Sequence, residues 1–169
     1  LYEMYHENGQ LKKRRNYKDG KLDGPFETYN EDGLVLTTGN YKDGKHDGLH
    51  YVVDYHRNGQ MMVRETVRDK KRERLEYFYR NGQLKTIENF QDGQLDGLYE
   101  YYFENGQLRE KVDYKDGEFV GLYESYFSNG QLKDKTHFTD GQYDGIFESY
   151  FSNGQLKLKR SYKNGEPDG

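Results

Sequence analysis

The sequence has no cysteine, no tryptophan and no alanine, and only two prolines in 169 residues. Each absence removes something. Without Cys there are no disulfides and no thiolate zinc sites, and the redox compartment stays open because secreted and cytosolic chains alike can lack it. Without Ala, and with few aliphatic residues, a helical bundle is a poor expectation. No run approaches the roughly 18 consecutive apolar residues of a membrane-crossing helix. Net charge is small too: 26 basic against 30 acidic side chains leave −4, so the general basic footprint of a nucleic-acid binder is missing. Hydrophobic residues make up 32% and mean hydropathy is −1.28, values near those of disordered chains. Against disorder stand 18 Tyr and 9 Phe. Aromatic rings bury large areas and can hold a polar chain together, so β structure is expected.

Nineteen of the twenty glycines fall in a regular pattern. Gly9, Gly33, Gly59, Gly82, Gly106, Gly130 and Gly154 each follow Asn or Asp and, in most cases, precede Gln-Leu; their spacings are 24, 26, 23, 24, 24 and 24. A second set lies eleven residues on, at Gly20, Gly44, Gly93, Gly117, Gly141 and Gly165, and a third four further, at Gly24, Gly48, Gly97, Gly121, Gly145 and Gly169. A fixed period of this length is the signature of a repeat architecture. The units run approximately over 1–23, 24–47, 48–73, 74–96, 97–120, 121–144 and 145–169.

Within a unit, alternating apolar and polar residues flank Asn-Gly, which predicts a hairpin closed by a type I′ turn with positive φ at both central residues. Centred on Asn105 and Gly106, this pairing sets Phe103 opposite Leu108, Tyr102 opposite Arg109, Glu100 opposite Lys111 and Tyr99 opposite Val112. One face then carries Tyr99, Tyr101, Phe103, Leu108, Val112 and Tyr114, continued by Tyr123, Phe127, Leu132 and Phe138 and by Phe147, Phe151, Leu156 and Tyr162; this is the expected core. The other carries an aromatic in every unit: Tyr5, Tyr29, Tyr55, Phe78, Tyr102, Tyr126 and Tyr150, with Lys12, Lys85, Arg109, Lys133 and Lys157 expected beside them. Cross-strand ion pairs are expected at Glu3–Arg14, Glu100–Lys111, Glu124–Lys135 and Glu148–Lys159. Segments such as Lys18 to Gly24 would join hairpins through two glycine-marked turns. The expected fold is all-β, an elongated single-layer antiparallel meander of seven tandem hairpin repeats, fourteen strands in all, with contacts between neighbouring repeats.

The pattern Gly-x-[Tyr/Phe]-Glu-x-Tyr-Phe-x-Asn-Gly-Gln-Leu-Lys, followed by Tyr-Lys-Asp-Gly, resembles the variant form of the MORN repeat, abundant in bacteria and found in YwqK-like antitoxin proteins. The resemblance covers the whole chain. It implies a hairpin array with a binding or scaffolding role, and antitoxin members are thought to neutralise a toxin by binding it. Lipid contact, proposed for the eukaryotic form, transfers poorly because Trp and the denser Gly-x-Gly spacing are missing. Glucan-binding hairpin repeats are a more distant likeness and depend on Trp to stack on sugar.

A ladder of exposed aromatics among cations suits a protein partner, so Tyr5, Tyr29, Tyr55, Phe78, Tyr102, Tyr126, Tyr150, Arg109, Lys133 and Lys157 are the candidate partner-binding residues. The blander reading is that each Tyr packs on its neighbour and under a Lys or Arg stem. The third unit gains two residues near His50 and Tyr51, replaces loop glycines by Lys70 and Arg74, and runs basic from Arg68 to Arg74. It is either an anion-binding loop or a degenerate connector where the array bends. His46, His50 and His56 lack regular metal-ligand spacing, and the Asp-Gly-x-x-Asp-Gly loops, such as Asp19 with Asp23 or Asp140 with Asp144, are explained by turn chemistry without calcium. No cofactor, metal or nucleic acid is expected. Nor is catalysis, because most polar groups recur at equivalent positions in several units instead of converging once. The expected function is protein binding, antitoxin-like in its finer form, with lipid or polysaccharide adhesion and a structural spacer as rivals. The start at Leu1 within a unit suggests a fragment or processed form, and a cytoplasmic location is weighed ahead of an exported one.

Overall fold

The structure is a computed structural model describing residues 1–168; Gly169, the last of the third set of glycines, lies outside the described residues. The fold is all-β, a single-layer antiparallel meander of hairpins, with eighteen strands and no helix among the described residues. The chain divides into two compact units, Leu1–Leu75 and Glu76–Gly169.

In the first unit β1 (Tyr2–Tyr5), β2 (Leu11–Lys18), β3 (Lys21–Tyr29) and β4 (Val35–Lys42) pair in chain order. Next come β5 (Lys45–His46) and β6 (Leu49–Tyr55), which both pair with β4, and β7 (Met61–Arg68), which pairs with β6. β8 (Lys71–Phe78) carries the division. In the second unit β9 (Leu84–Gln91) pairs with both β10 (Gln94–Leu95) and β11 (Gly97–Tyr102). From there β12 (Leu108–Lys115), β13 (Glu118–Tyr126) and β14 (Leu132–Thr139) follow in order. β14 pairs with β15 (Gln142–Tyr143) and β16 (Gly145–Tyr150), and β17 (Leu156–Lys163) and β18 (Glu166–Pro167) complete the unit.

The seven hairpins supply fourteen of these strands. The other four, β5, β10, β15 and β18, are two-residue segments that follow the connecting turns, the first three of them cut off from the arm beyond. The cause is the third set of glycines. Gly24, Gly48, Gly97, Gly121 and Gly145 all have positive φ, from 74° to 106°, and instead of making a second turn they sit at a bulge. Register shows it: β14 pairs Phe138 with Tyr143 before the bulge and Asp134 with Ser149 beyond it, a slip of two residues.

The tip turn differs from the sequence expectation, and the type I′ geometry expected there is found at the connectors. At the Asn-Gly tip, Gly106 N–H donates to Phe103 O at 2.9 Å and Phe103 N–H donates to Gln107 O at 2.8 Å, and of the tip residues only Gly106 has positive φ. This is a three-residue loop, a type I turn closed by a left-handed glycine and a bulge. Tyr102 therefore lies opposite Leu108, not Arg109, while Glu100–Lys111 and Tyr99–Val112 pair as expected. The type I′ turns are the Asp-Gly connectors: Asp116 and Gly117 both have positive φ, 51° and 86°. Asn prevails at the tips for another reason. Its side-chain oxygen accepts Gln107 N–H at 3.0 Å, and its amide reaches the backbone of the next tip, Asn105 to Ser128 O at 3.1 Å, as Asn8 does to Glu31 O and Asn129 to Ser152 O.

Few apolar side chains are buried, as one layer requires: Phe26, Val53, Val67 and Leu75 in the first unit, Ile87, Val112 and Phe138 in the second. Phe151 and Leu156, expected in the core, are 49% and 52% exposed. They flank the tip of the last hairpin, where a neighbouring arm is available on one side only.

Candidate functional site

The aromatic row is built into an electrostatic lattice. The hydroxyls of Tyr5, Tyr29, Tyr126 and Tyr150 each donate to the glutamate two residues earlier on the same strand, Glu3, Glu27, Glu124 and Glu148, at 2.6–2.9 Å. Those glutamates hold cations from adjacent strands: Arg14 to Glu3 at 3.0 Å and to Glu27 at 3.5 Å, Lys159 to Glu148 at 2.8 Å. Glu124 takes Lys111 at 2.8 Å and Lys135 at 3.9 Å. Lys111 thus turns to Glu124 while sitting opposite Glu100 in register. Glu124 titrates low: burial acts to raise it, and the hydrogen bonds from Lys111 and Tyr126 with the two lysine charges outweigh that. Tyr55 differs, donating to Val35 O at 2.7 Å, and Phe78 and Tyr102 are half-buried.

Four of the cations expected beside this row, Lys85, Arg109, Lys133 and Lys157, make their contacts elsewhere. Arg109 is 4.8 Å over the Tyr101 ring and 5.5 Å over that of Phe103, Lys85 is 5.8 Å over Tyr79, and Lys157 is 5.7 Å over Phe151. Lys133 is 3.5 Å from Asp134. The bulge at each tip explains the displacement, since the extra residue breaks the alternation by which these cations were placed.

On the other face of the second unit, Tyr99, Val112, Tyr114, Phe119, Tyr123, Phe138, Tyr143 and Phe147 line an open groove of about 440 Å³, with Glu110 and Asp134 among them. The rings meet at angles: Tyr99–Tyr114 at 5.9 Å and 74°, Phe119–Phe138 at 5.1 Å and 61°, Tyr123–Phe138 at 6.1 Å and 80°. Tyr123 O–H donates to Glu110 at 3.3 Å, and Ser125 O–H to Asp134 at 3.0 Å. Burial first, then the Glu110 charge and its neighbours, pushes the Tyr99 phenol up to about 12. Glu110, Asp134, Phe119 and Tyr143 were not singled out as site residues from sequence. A signal existed for the acids: at the same distance past the tip glycine the other units carry Lys13, Thr37, Val63, Thr86 and Leu158.

In the first unit, His46 and His50 stack with centroids 4.6 Å apart, and Tyr41 and Phe26 pack on His46 at 4.3 and 5.3 Å. His56 does not join them; it closes the tip turn, six residues and so roughly 20 Å along the strand from His50. Among the described residues no group of three or more His, Cys, Asp or Glu is placed to hold a metal. Leu22, Tyr41, Lys45, His46, Asp69 and Lys70 border an open hollow of about 620 Å³. The basic run is internally paired, Arg68 to Glu73 and Arg72 to Glu65, both at 2.7 Å, and Asp69-Lys70 forms a connector turn with φ 49° and 65°. In the Asp-Gly loops, Asp23 accepts Asp43 N–H at 3.4 Å and Asp144 accepts the Thr139 hydroxyl at 3.2 Å, so both carboxylates serve turns.

Comparison with curated proteins gives no match. Among solved structures, the chain is similar to one in the crystal structure of the GtfA/B complex bound to UDP and GlcNAc, at 17% identity and a TM-score of 0.38, over 66% of this chain and 24% of that one. The family model described as MORN repeat variant matches residues 1–19, 74–92, 95–116, 119–140 and 143–164, more than half of the chain. Its repeats coincide with the tip-to-connector hairpins seen here, and the chain belongs to the MORN repeat variant family.

Proposed function

We propose that this chain is a non-enzymatic repeat protein that binds another protein through the aromatic face of its sheet, with an antitoxin or immunity role as the finer form of that reading. The observation that carries it is the groove of the second unit: a row of half-exposed rings on one side of a single layer. Apolar ring surface left in water is what a partner gains by covering, and Tyr-rich surfaces bind at small entropic cost. The opposite row is the weaker candidate, because its hydroxyls and carboxylates already satisfy one another.

A pull-down from source lysate, read by mass spectrometry, tests this. The wild-type chain should retain a specific protein, the Tyr99→Ser/Tyr143→Ser variant should lose it, and Tyr102→Ser/Tyr126→Ser should keep it. Failure of the wild type to retain any protein, or retention on liposomes or glycans instead, rejects the reading.

A further inference from the structure

The floor of the groove is unlike the rest of the repeat. Across the second unit one row of positions runs Thr86, Tyr101, Glu110, Ser125, Asp134 and Ser149, each opposite the next in register. Its two acids lie two strands apart, about 10 Å. They are not paired like the glutamates of the opposite face. Glu110 receives only the Tyr123 hydroxyl in the contacts described, and Asp134 receives the Ser125 hydroxyl and a long 3.5 Å approach from Lys133, whose side chain is half in solvent.

Negative charge beside aromatic rings is the chemistry that receives a cation: the ring faces attract it, and the carboxylate takes its hydrogen bonds. The protein already shows the first half of this on itself, since the Arg109 guanidinium lies on Tyr101 and Phe103 at the tip side of the groove. Guanidinium suits the place better than ammonium, being planar, weakly hydrated and able to engage a carboxylate with two donors.

We propose that the groove of the second unit is a docking site for an arginine-bearing extended segment of a protein partner, with a guanidinium held by Glu110 and Asp134 and its stem lying on Tyr99, Tyr114 and Tyr123. This rests on the protein-binding reading above and names the chemistry of the partner. Charge complementarity is the argument for the occupant: two carboxylates among the aromatic rings of the groove discriminate against neutral segments and reward one that brings the opposite charge.

The test uses the full chain and a fluorescent, end-capped peptide of about twelve residues alternating Gly and Arg, read by anisotropy at low salt. Its counterpart carries citrulline, which keeps the shape and loses the charge. The Arg peptide should bind, and both the citrulline peptide and the Glu110→Gln/Asp134→Asn variant should weaken binding at least tenfold, about 1.4 kcal/mol. The charge-matched control Glu104→Gln/Asp113→Asn, at a tip and on the other face, should change it less than twofold. No binding of the Arg peptide, equal binding of the citrulline peptide, or an equal loss in the control overturns the proposal. The lysate experiment separates the two claims. A partner captured equally by the wild type and by Glu110→Gln/Asp134→Asn sinks the arginine site and leaves protein binding standing, whereas a wild type that captures nothing sinks both.

Discussion

A Cβ built on Gly39 would lie 2.6 Å from the Cβ of His50 and 2.9 Å from Cε1 of Phe26. Its φ is not in the left-handed region, so the requirement is space, set by His50 and by the buried ring of Phe26. Gly39→Ala should therefore destabilise the first unit by about 1–3 kcal/mol, an overpacking cost, visible in urea unfolding followed by tyrosine fluorescence. Lys70 presents the opposite situation. It holds φ 65° in a turn where Asp-Gly serves elsewhere, and a non-glycine residue pays about 1–2 kcal/mol there. Lys70→Gly should raise the urea midpoint, by an amount reduced by the extra freedom glycine brings to the unfolded chain. Lys70 was legible in the sequence as a lost glycine, but the role of Gly39 was not, because it depends on what the facing strand brings opposite it.

At the level of strands, the stack of His46 on β5 with His50 on β6 makes the first unit pH-sensitive. Burial, then the charges of His50 and Lys70, hold the His46 imidazole below its ordinary value. Its Nδ1 is buried without a hydrogen-bond partner, so a proton added there has nothing to receive it. Between the folded and unfolded titrations the unfolded chain binds the proton and the folded chain does not, so stability falls as pH drops through about 6.5. Thermal unfolding at about pH 7.5 and about pH 5.5 should show the loss. His46→Phe, which keeps the ring and removes the titrating nitrogen, should flatten that part of the profile; an unchanged acid dependence would contradict the assignment. Strand pairing itself was legible in advance: of the four expected cross-strand ion pairs, Glu3–Arg14, Glu124–Lys135 and Glu148–Lys159 formed, while Lys111 lies opposite Glu100 as expected but gives its charge to Glu124. The turn types were not, since Asn-Gly fits both a two-residue turn and the end of a three-residue loop. What selects the loop here goes along with a bond made outside the hairpin, from the Asn amide to the next tip.

For the molecule as a whole, stability should be distributed like that of other repeat proteins, as repeat terms plus nearest-neighbour terms within each unit. The buried residues of the second unit centre on β12–β14, with Val112 at 2% and Thr136 at 2% exposure, while Leu156 and Leu158 of β17 are largely open. Native-state hydrogen exchange should then find the slowest amides of that unit on β12–β14 and near-fraying rates on β17 and β18. Uniform protection across these strands would contradict it.

The sequence by itself determined the hairpin, its period and the sorting of most side chains between two faces, because strand alternation and glycine placement are local and recur in every unit. Only the tertiary structure decided that the second connector glycine bends a strand instead of turning it, that the cations leave the tyrosine row, and that Glu110 and Asp134 share a floor with the rings. The first two depend on slips of register at the connectors and at the tips, and the third joins residues 24 positions apart that no single repeat contains.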